Sequence, residues 1–203
     1  MSRSGDVAEQ RLAGMPPTFT TVQARRAGIS SQAITALRER GLVEELSRGV
    51  FRQADAPETA HADLIAVATR APRAVVCVES ALALHELIDD IPIAVQIAVP
   101  RGAHRPRITY PPVKVWQFDA STFAAGQEGF EAAPGEFVPV YSAARSVVDA
   151  MRLRRLVGET LALGALGRYL RRHGHAGVPD LEEFAMMLGG AAQVRRAVEA
   201  VLA

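Results

Sequence analysis

The segment from Phe19 to Gln53 constrains the fold more than any other part of the chain. It reads FTTVQARRAGISSQAITALRERGLVEELSRGVFRQ. Thr20 or Thr21 can cap a short helix that runs to about Ala27, because a hydroxyl oxygen accepts a hydrogen bond from an otherwise unpaired backbone N–H. Gly28 then suits the left-handed residue that commonly ends a helix. The segment therefore begins with one helix and a tight turn.

A second helix follows the turn, from a cap at Ser30 to about Arg40, and Gly41 ends it in the same way. Ile34 and Leu37 are three residues apart and are expected to face the interior. The opposite face carries hydrogen-bonding side chains of the kind that reach base edges and phosphates, namely Ser31, Gln32, Thr35 and Arg38. Alone, these side chains would equally suit an ordinary solvated helix face.

A hairpin completes the segment, with a turn at Ser47-Arg48-Gly49 before the returning strand from Val50 to Arg52. Helix, turn, helix and hairpin in this order predict a winged helix-turn-helix, which places its second helix in the DNA major groove. Arg48 at the tip is then placed to touch a phosphate or enter the minor groove, or is simply a surface arginine. The arginines expected to hold phosphates are Arg25, Arg26, Arg48 and Arg52.

The rest of the chain predicts a mixed α/β domain that ends in helices. We place the boundary at 53–57, which gives a DNA-binding domain over 1–55 and a second domain over 56–203. Strands are expected near 74–78, 93–100, 113–118 and 137–140, and helices near 58–69, 79–88, 142–151, 156–172, 180–188 and 191–202. Because 120–135 is rich in Gly, Ala and Pro, we expect a loop there and no sheet of many strands. The predicted fold class is α+β.

A basic loop lies between two of these strands, at 101–110. Its positively charged or titratable side chains are Arg101, His104, Arg105 and Arg107. They form either a second contact with the DNA backbone, a patch for an RNA-binding partner, or a solvated hairpin loop without a specific role.

Catalytic and metal-binding patterns are weak. A restriction-type nuclease needs acidic residues and a lysine at adjacent strand ends, but the sole lysine, Lys114, has no acid two residues before it. His173 and His175 have no cysteine nearby to complete a zinc site, and Cys77 suits a buried strand better than a dyad with His85. GxGxxG and GxxxxGK motifs are absent from the sequence. We therefore predict a protein that is not an enzyme and uses no metal or cofactor.

Charge is distributed unevenly along the chain. Residues 1–53 hold eight Arg against five Asp or Glu, which gives +3, whereas 54–203 hold fifteen Lys or Arg against seventeen acids, which gives −2. This asymmetry favours a nucleic-acid partner for the N-terminal part. No apolar run approaches the roughly 18 residues that cross a bilayer, and the first ten residues lack a signal-peptide core. We expect a cytoplasmic protein.

The N-terminal pattern resembles the N-terminal domain of the AbiEi family of antitoxins. The residues that carry it are Gly28, Ile29, Ser30, Ile34, Leu37, Gly41, Leu42, Val43, Leu46, Gly49, Val50, Phe51 and Arg52. The similarity covers about 15–55 and continues more loosely through 75–87, VQIAVPRG and 137–151. The resemblance implies a two-domain protein made together with a nucleotidyltransferase-like toxin, which need not bind it stably. It also implies repression of its own operon through an inverted repeat, with the C-terminal domain supporting neutralisation.

Three functions are compatible with these features. The first is a DNA-binding antitoxin that represses its own operon and counteracts the toxin. The second is a stand-alone winged-helix transcriptional regulator whose C-terminal domain senses a ligand or dimerises. The third is an interaction scaffold that has lost DNA binding. We predict the first, and a neighbouring nucleotidyltransferase gene would separate it from the second.

Overall fold

A computed structural model describes residues 3–202, and it shows a mixed α+β protein. The chain forms two compact units. The N-terminal unit consists of the residues up to Arg73 together with 106–113 and 130–138, and the C-terminal unit consists of 74–105, 114–129 and the residues from 139 onward. The segment predicted to be a DNA-binding domain, 1–55, falls within the first unit, which extends beyond it.

The N-terminal unit combines four helices with a small antiparallel sheet. Its elements are α1 (Arg3–Ala13), β1 (Thr18–Thr20), α2 (Thr21–Arg26), α3 (Ser31–Glu39), β2 (Val43–Ser47), β3 (Val50–Gln53) and α4 (Ala62–Arg70). The strands lie in the order β1-β3-β2, so β3 is central. A register irregularity between Glu45 and Ser47 precedes the turn of the β2–β3 hairpin.

The core of this unit comes from one face of each element. Its buried members are Ala8, Leu12, Phe19, Ala24, Ile29, Ile34, Leu37, Val43 and Phe51. The Phe19 and Phe51 rings lie 6.0 Å apart on paired strands. Full burial of a side chain the size of leucine or phenylalanine stabilises the fold by about 1.5–3 kcal/mol, so these contacts fix how α2 and α3 lie on the sheet.

The local signals that delimit α2 and α3 are present as predicted. Thr20 Oγ1 accepts the N–H of Gln23 at 3.2 Å, while the Gln23 side chain accepts the N–H of Thr20, which makes a capping box. Gly28 has φ +79°, and the next N–H, that of Ile29, donates to Ala24 O at 2.9 Å. Gly41 ends α3 in the same way, since the N–H of the following residue, Leu42, donates to Leu37 O at 2.9 Å. Both are Schellman motifs, in which the glycine avoids the strain of a left-handed side chain.

The chain after α4 begins with strands and ends with helices. Its elements are β4 (Val75–Val76), α5 (Val78–Leu84), β5 (Val95–Pro100), β6 (Val113–Phe118), β7 (Gln127–Ala133), β8 (Glu136–Tyr141), α6 (Ala143–Arg152), α7 (Arg154–Val157), α8 (Glu159–His173), a 3-10 turn (Gly174–Gly177), α9 (Val178–Leu188) and α10 (Ala191–Leu202). Most of β7 and the first half of β8 lie in 130–138 and so belong to the N-terminal unit, whereas the other elements belong almost entirely to the C-terminal unit. The sheet has the order β6-β5-β4-β8-β7. β4 runs antiparallel to β5 and parallel to β8.

Helix α6 is the centre of the helical part. It begins after a cap at Ser142, close to the predicted start of a helix near 142, and its residues 144–151 are all buried. Helices α8, α9 and α10 contribute buried side chains to the same core, among them Leu166, Leu181 and Val194. Within residues 3–202, no helix has the length and apolar character needed to cross a membrane.

The loop predicted over 120–135 is wrong in its second half, because β7 occupies Gln127–Ala133 and makes the sheet five-stranded. Alanine and glycine have low strand propensity, but burial overrides propensity when a strand packs well. Ala132 and Ala133 are buried against Ile65 of α4. Gly135, with φ +77°, forms the turn into β8.

Two element boundaries also differ from the sequence prediction. Helix α4 begins at Ala62, later than expected, and α5 begins at Val78 directly after a two-residue strand. Within α5, the Ser80 hydroxyl accepts the N–H of Gln96 at 2.9 Å. The polar group is therefore used to join α5 to β5.

Candidate nucleic-acid interface

Helix α3 is held on the N-terminal unit by its apolar face. Ile34 and Leu37 are 4% and 2% exposed and belong to the core. The start of the helix is fixed by Ser30, whose hydroxyl accepts the N–H of Ala33 at 3.1 Å. An arginine on α1, Arg11, donates to the carbonyl of Gly28 in the preceding turn. These contacts leave the other face of α3 directed to solvent.

The four side chains predicted to face DNA are all on that exposed face, at Ser31, Gln32, Thr35 and Arg38. Gln32 makes no side-chain hydrogen bond with the described residues, so its amide is available to pair with a base edge. The Thr35 hydroxyl donates to the carbonyl of Ser31 at 3.1 Å, one turn back along the helix. Its oxygen keeps accepting capacity, so the exposed Thr35 side chain can still pair with a donor on a base.

Arg38 is tied to the hairpin by an acid. Its Nη1 lies 2.8 Å from Glu45 Oε2 on β2, and the side chains are 49% and 31% exposed. The other carboxylate oxygen of Glu45 accepts the N–H of Gly49 at 3.0 Å. One carboxylate therefore connects the outer face of α3 to the turn of the β2–β3 hairpin, and it partly neutralises Arg38.

The hairpin turn presents Arg48 to solvent. Ser47 pairs with Val50, so Arg48 and Gly49 form a two-residue turn, and Gly49 has φ +76°. The turn is anchored at its base, because Ser47 is buried and its hydroxyl donates to the carbonyl of Tyr110 at 2.6 Å, within the same unit. Arg48 is exposed at the tip of a supported turn, a position suited to a phosphate contact.

Arg25 and Arg26 lie in the last turn of α2 and are both exposed. Neither forms an ion pair with a described residue. Guanidinium groups in this state are the usual ligands of phosphate oxygens, since their fork of N–H donors matches the phosphate geometry. The structure thus leaves both cations free at the helix that precedes α3.

The expectation that Arg52 holds a DNA phosphate disagrees with its position. Its side chain is only 5% exposed and forms an ion pair with Glu136. Nη1 also donates to Thr18 Oγ1 at 2.8 Å, and Nη2 donates to the carbonyl of Pro57 at 2.7 Å. A guanidinium with its donors engaged below the surface has nothing to offer a phosphate. We therefore remove Arg52 from the predicted interface and regard it as a structural residue.

The basic loop at 101–110 is divided between the two units. Arg101, His104 and Arg105 belong to the C-terminal unit, Arg107 belongs to the N-terminal unit, and all four side chains are exposed. Arg105 donates to the side chain of Gln117 at 3.0 Å. These residues are therefore assigned separately and not as one patch.

Among residues 3–202, no group of three or more His, Cys, Asp or Glu side chains is placed to hold a metal ion. Cys77 is fully buried, and burial raises the pKa of its thiol well above the ordinary value. The His173 ring packs against Tyr169, with centroids 4.5 Å apart. Each of these residues has a packing role in the part of the chain that the structure describes.

Two acidic residues lie near the interface, and the sequence pattern did not predict them as part of it. Glu45 pairs with Arg38, as described above, and Glu39 is exposed at the end of α3. Carboxylates repel phosphates but accept hydrogen bonds from the cytosine amino group in the major groove. The charge sign of each residue could be read from the sequence, but the pairing of Glu45 depends on how the hairpin folds against α3.

Comparison with known proteins finds a family match for the N-terminal region. Residues 10–52 match the model of a family described as "Transcriptional regulator, AbiEi antitoxin", which confirms the resemblance over that region. A search of curated proteins finds no match. The crystal structure of the RV2827C protein from Mycobacterium tuberculosis is similar, with a TM-score of 0.50 and 16% sequence identity over 97% of this chain and 79% of that one. At this identity, the similarity shows a shared fold only.

Proposed function

We propose that this protein is a DNA-binding antitoxin of the AbiEi type that represses its own toxin–antitoxin operon. The observation that carries the proposal is the coincidence of the family match, 10–52, with a helix–turn–helix and hairpin that expose one polar helix face. In this proposal, 1–55 acts as a winged helix-turn-helix, α3 is the recognition helix and the β2–β3 hairpin is the wing.

In the proposed complex with DNA, some exposed residues contact bases and others contact phosphates. Ser31, Gln32, Thr35 and Arg38 enter the major groove, which is about 12 Å wide and admits a helix. Arg25 and Arg26 on α2 and Arg48 on the wing hold phosphates, which fix the register without reading sequence. The +3 charge of residues 1–53 favours the approach of this region to DNA.

The proposed operator is an inverted repeat upstream of the protein's own gene, with one copy on each half. Each phosphate contact contributes roughly −0.9 to the slope of log affinity against log salt. Three arginines from each of two copies therefore predict a slope of about −5. A fluorescence-anisotropy titration on the upstream DNA across salt concentrations, beside a scrambled duplex of equal length, measures both the slope and the preference.

Tight binding that prefers the upstream duplex supports the repressor. Equal affinity for both duplexes, or no binding, overturns it and leaves the helix–turn–helix as an interaction module. A titration of residues 1–55 alone is not a substitute, because β3 pairs with Glu136 and the small sheet packs against α4, and both partners lie outside that segment in the same compact unit.

The antitoxin role is tested separately in cells. We expect co-expression of the full chain to relieve the growth arrest caused by a nucleotidyltransferase-like toxin encoded beside it. A variant with weakened DNA binding, carrying Arg25→Ala and Arg26→Ala, should still protect if the C-terminal domain alone counteracts the toxin without a stable complex. DNA binding without protection identifies instead a stand-alone transcriptional regulator, which is the alternative function.

A further inference from the structure

The C-terminal unit contains an open cleft of about 500 Å³. Its walls come from the residue after β5, from β6 and the turn that follows it, from both ends of α6 and from the end of α9. Small-molecule sites in proteins commonly have volumes of about 300–1,000 Å³. The cleft lies in the unit that does not carry α3, so its chemistry is separate from that of the proposed DNA interface.

The charged lining of the cleft is mainly cationic. Arg101, Arg145 and Arg152 line it, against one lining carboxylate, Asp119. Asp119 Oδ1 accepts both the backbone N–H of Ser121, at 2.9 Å, and the Ser121 hydroxyl, at 2.6 Å. The cleft lining therefore carries one negative charge beside three guanidinium groups.

Arg145 is the most unusual member of the lining, since it is a cation that is 1% exposed. Its Nη1 donates to the carbonyls of Thr122, at 2.6 Å, and Ala125, and its Nε lies 3.4 Å from Asp149 Oδ2. Its guanidinium also stacks 3.9 Å from the centre of the Tyr141 ring. Nη2 donates to no acceptor among the described residues and is not fully buried, so its N–H groups are available to a ligand at the wall of the cleft.

The carboxyl group beneath the cleft is shared between two arginines. Asp149 Oδ1 accepts from Arg152 Nη1 at 2.9 Å while Oδ2 faces Arg145. Counting Asp149 and Asp119 as ionised, three guanidinium groups against two carboxylates still leave +1. This surplus of positive charge favours a further negative charge in the cleft.

The remaining wall is apolar and partly aromatic. Trp116 and Phe118 contribute from β6, and Leu153, Met187 and Leu188 contribute from the helices. Met187 is 43% exposed, and methionine adapts readily to different ligand shapes. A simple inorganic ion would use the arginines and leave this wall wet, whereas a flat ring joined to an anionic group would contact both.

From this combination we infer that the cleft is a binding site for a small organic anion that carries an aromatic ring. The anionic group lies against Arg101, Arg152 and the free Nη2 of Arg145, and the ring lies against Trp116, Phe118 and Met187. A nucleoside monophosphate and an aromatic carboxylate share this chemistry. The inference does not depend on the proposed DNA binding.

Trp116 is the only tryptophan of the chain, so its fluorescence reports on the cleft directly. We would titrate the full chain with adenosine 5′-monophosphate and with phenylacetate, and beside them with their neutral counterparts, adenosine and phenylacetamide. Isothermal calorimetry with the same four compounds covers a complex that leaves the fluorescence unchanged. We expect at least one anion to bind saturably, about tenfold or more tighter than its neutral counterpart. The anion that binds shows whether the site prefers a nucleoside monophosphate or an aromatic carboxylate.

The matched variants are Arg101→Ala, in the cleft lining, and Arg155→Ala, an exposed arginine outside it. Arg101→Ala should weaken binding about tenfold, which corresponds to about 1.4 kcal/mol, and Arg155→Ala should leave it unchanged. The inference is overturned by the absence of saturable binding in both assays, by equal affinity for anions and neutral counterparts, or by equal effects of the two variants. None of these outcomes bears on whether the chain binds DNA.

Discussion

Arg38 on α3 and Glu45 on β2 form an ion pair of 2.8 Å, and the second oxygen of Glu45 accepts the N–H of Gly49 at 3.0 Å. Exposed pairs of this kind contribute about 0–1 kcal/mol to stability. The more important consequence is electrostatic, because Glu45 offsets the one cation on the proposed recognition face. Glu45 therefore limits how strongly that face binds a phosphate of any sequence.

We expect Glu45→Gln to increase affinity for random duplex DNA and to steepen its salt dependence by about one unit, as for one added phosphate contact. Glutamine keeps an oxygen that accepts the N–H of Gly49, so the turn is preserved. The control is Glu44→Gln, which removes the same charge from the neighbouring exposed position on β2. Identical slopes for the two variants would show that Arg38 is not restrained by its partner.

Arg48→Ala should flatten the salt dependence by about 0.9 units and weaken binding to specific and random duplexes alike, since a phosphate contact carries no sequence information. The substitution should leave the fold intact, because Arg48 is exposed and the turn is supported through Ser47. Arg70→Ala, an exposed arginine at the end of α4, serves as the control and should leave the slope unchanged. An unchanged slope for Arg48→Ala would remove the hairpin from the interface.

Gln32→Ala should reduce affinity for the operator by about 1–3 kcal/mol, the range for a bidentate base contact, and leave affinity for random DNA nearly unchanged. The amide of Gln32 is exposed and has no protein partner among the described residues, so its loss affects only the complex. Gln10→Ala, at an exposed position of α1, is the matched control. Equal losses on operator and random duplex would exclude base reading by Gln32.

The parts of the fold that could be predicted are those whose causes lie close together in sequence. The cap at Thr20 is satisfied three residues away, by Gln23, and the helix end at Gly28 is satisfied by Ala24 and Arg25. Such contacts depend on a few consecutive residue types and hardly on the rest of the fold. This is why the bounds of α2 and α3 and the exposed face of α3 followed from the pattern.

The parts that could not be predicted depend on partners far along the chain. Arg52 was expected to face DNA because arginine suits a phosphate, but its ion-pair partner, Glu136, lies 84 residues away. In the same way, β7 was missed because Ala132 and Ala133 become strand residues by packing on Ile65. The C-terminal cleft is likewise lined by residues that are spread along the chain between 101 and 188, so no local sequence motif predicts it.

The buried position of Arg52 separates a structural role from a DNA contact. Removing one partner of a buried ion pair destabilises a protein by about 3–5 kcal/mol, so Arg52→Ala should lower the midpoint of urea unfolding markedly. At temperatures where the variant remains folded, the salt dependence of its affinity for DNA should equal that of the unmodified chain. Replacing both partners, as in Arg52→Met with Glu136→Met, should restore much of the stability, because no unpaired charge is left.

Arg48→Ala is the control for this comparison, and the two variants should show opposite behaviour. Arg48→Ala should flatten the salt dependence of DNA binding and leave the urea midpoint unchanged. Arg52→Ala should lower the urea midpoint and leave the salt dependence unchanged. A flattened salt dependence for Arg52→Ala with an unchanged urea midpoint would return Arg52 to the interface and contradict the structure.

The end of α5 provides a test of backbone strain. Glu86 has φ +57°, and it occupies the left-handed position of a Schellman motif in which the N–H of Leu87 donates to Leu82 O at 2.8 Å. A left-handed residue other than glycine costs roughly 1–2 kcal/mol, whereas the ion pair of Glu86 with Arg172 is mostly exposed and contributes little. Glu86→Gly should therefore be more stable than Glu86→Ala by about 1 kcal/mol, although both lose the ion pair. Urea unfolding of the two variants side by side measures the difference, and equal stabilities would mean that this turn carries no strain.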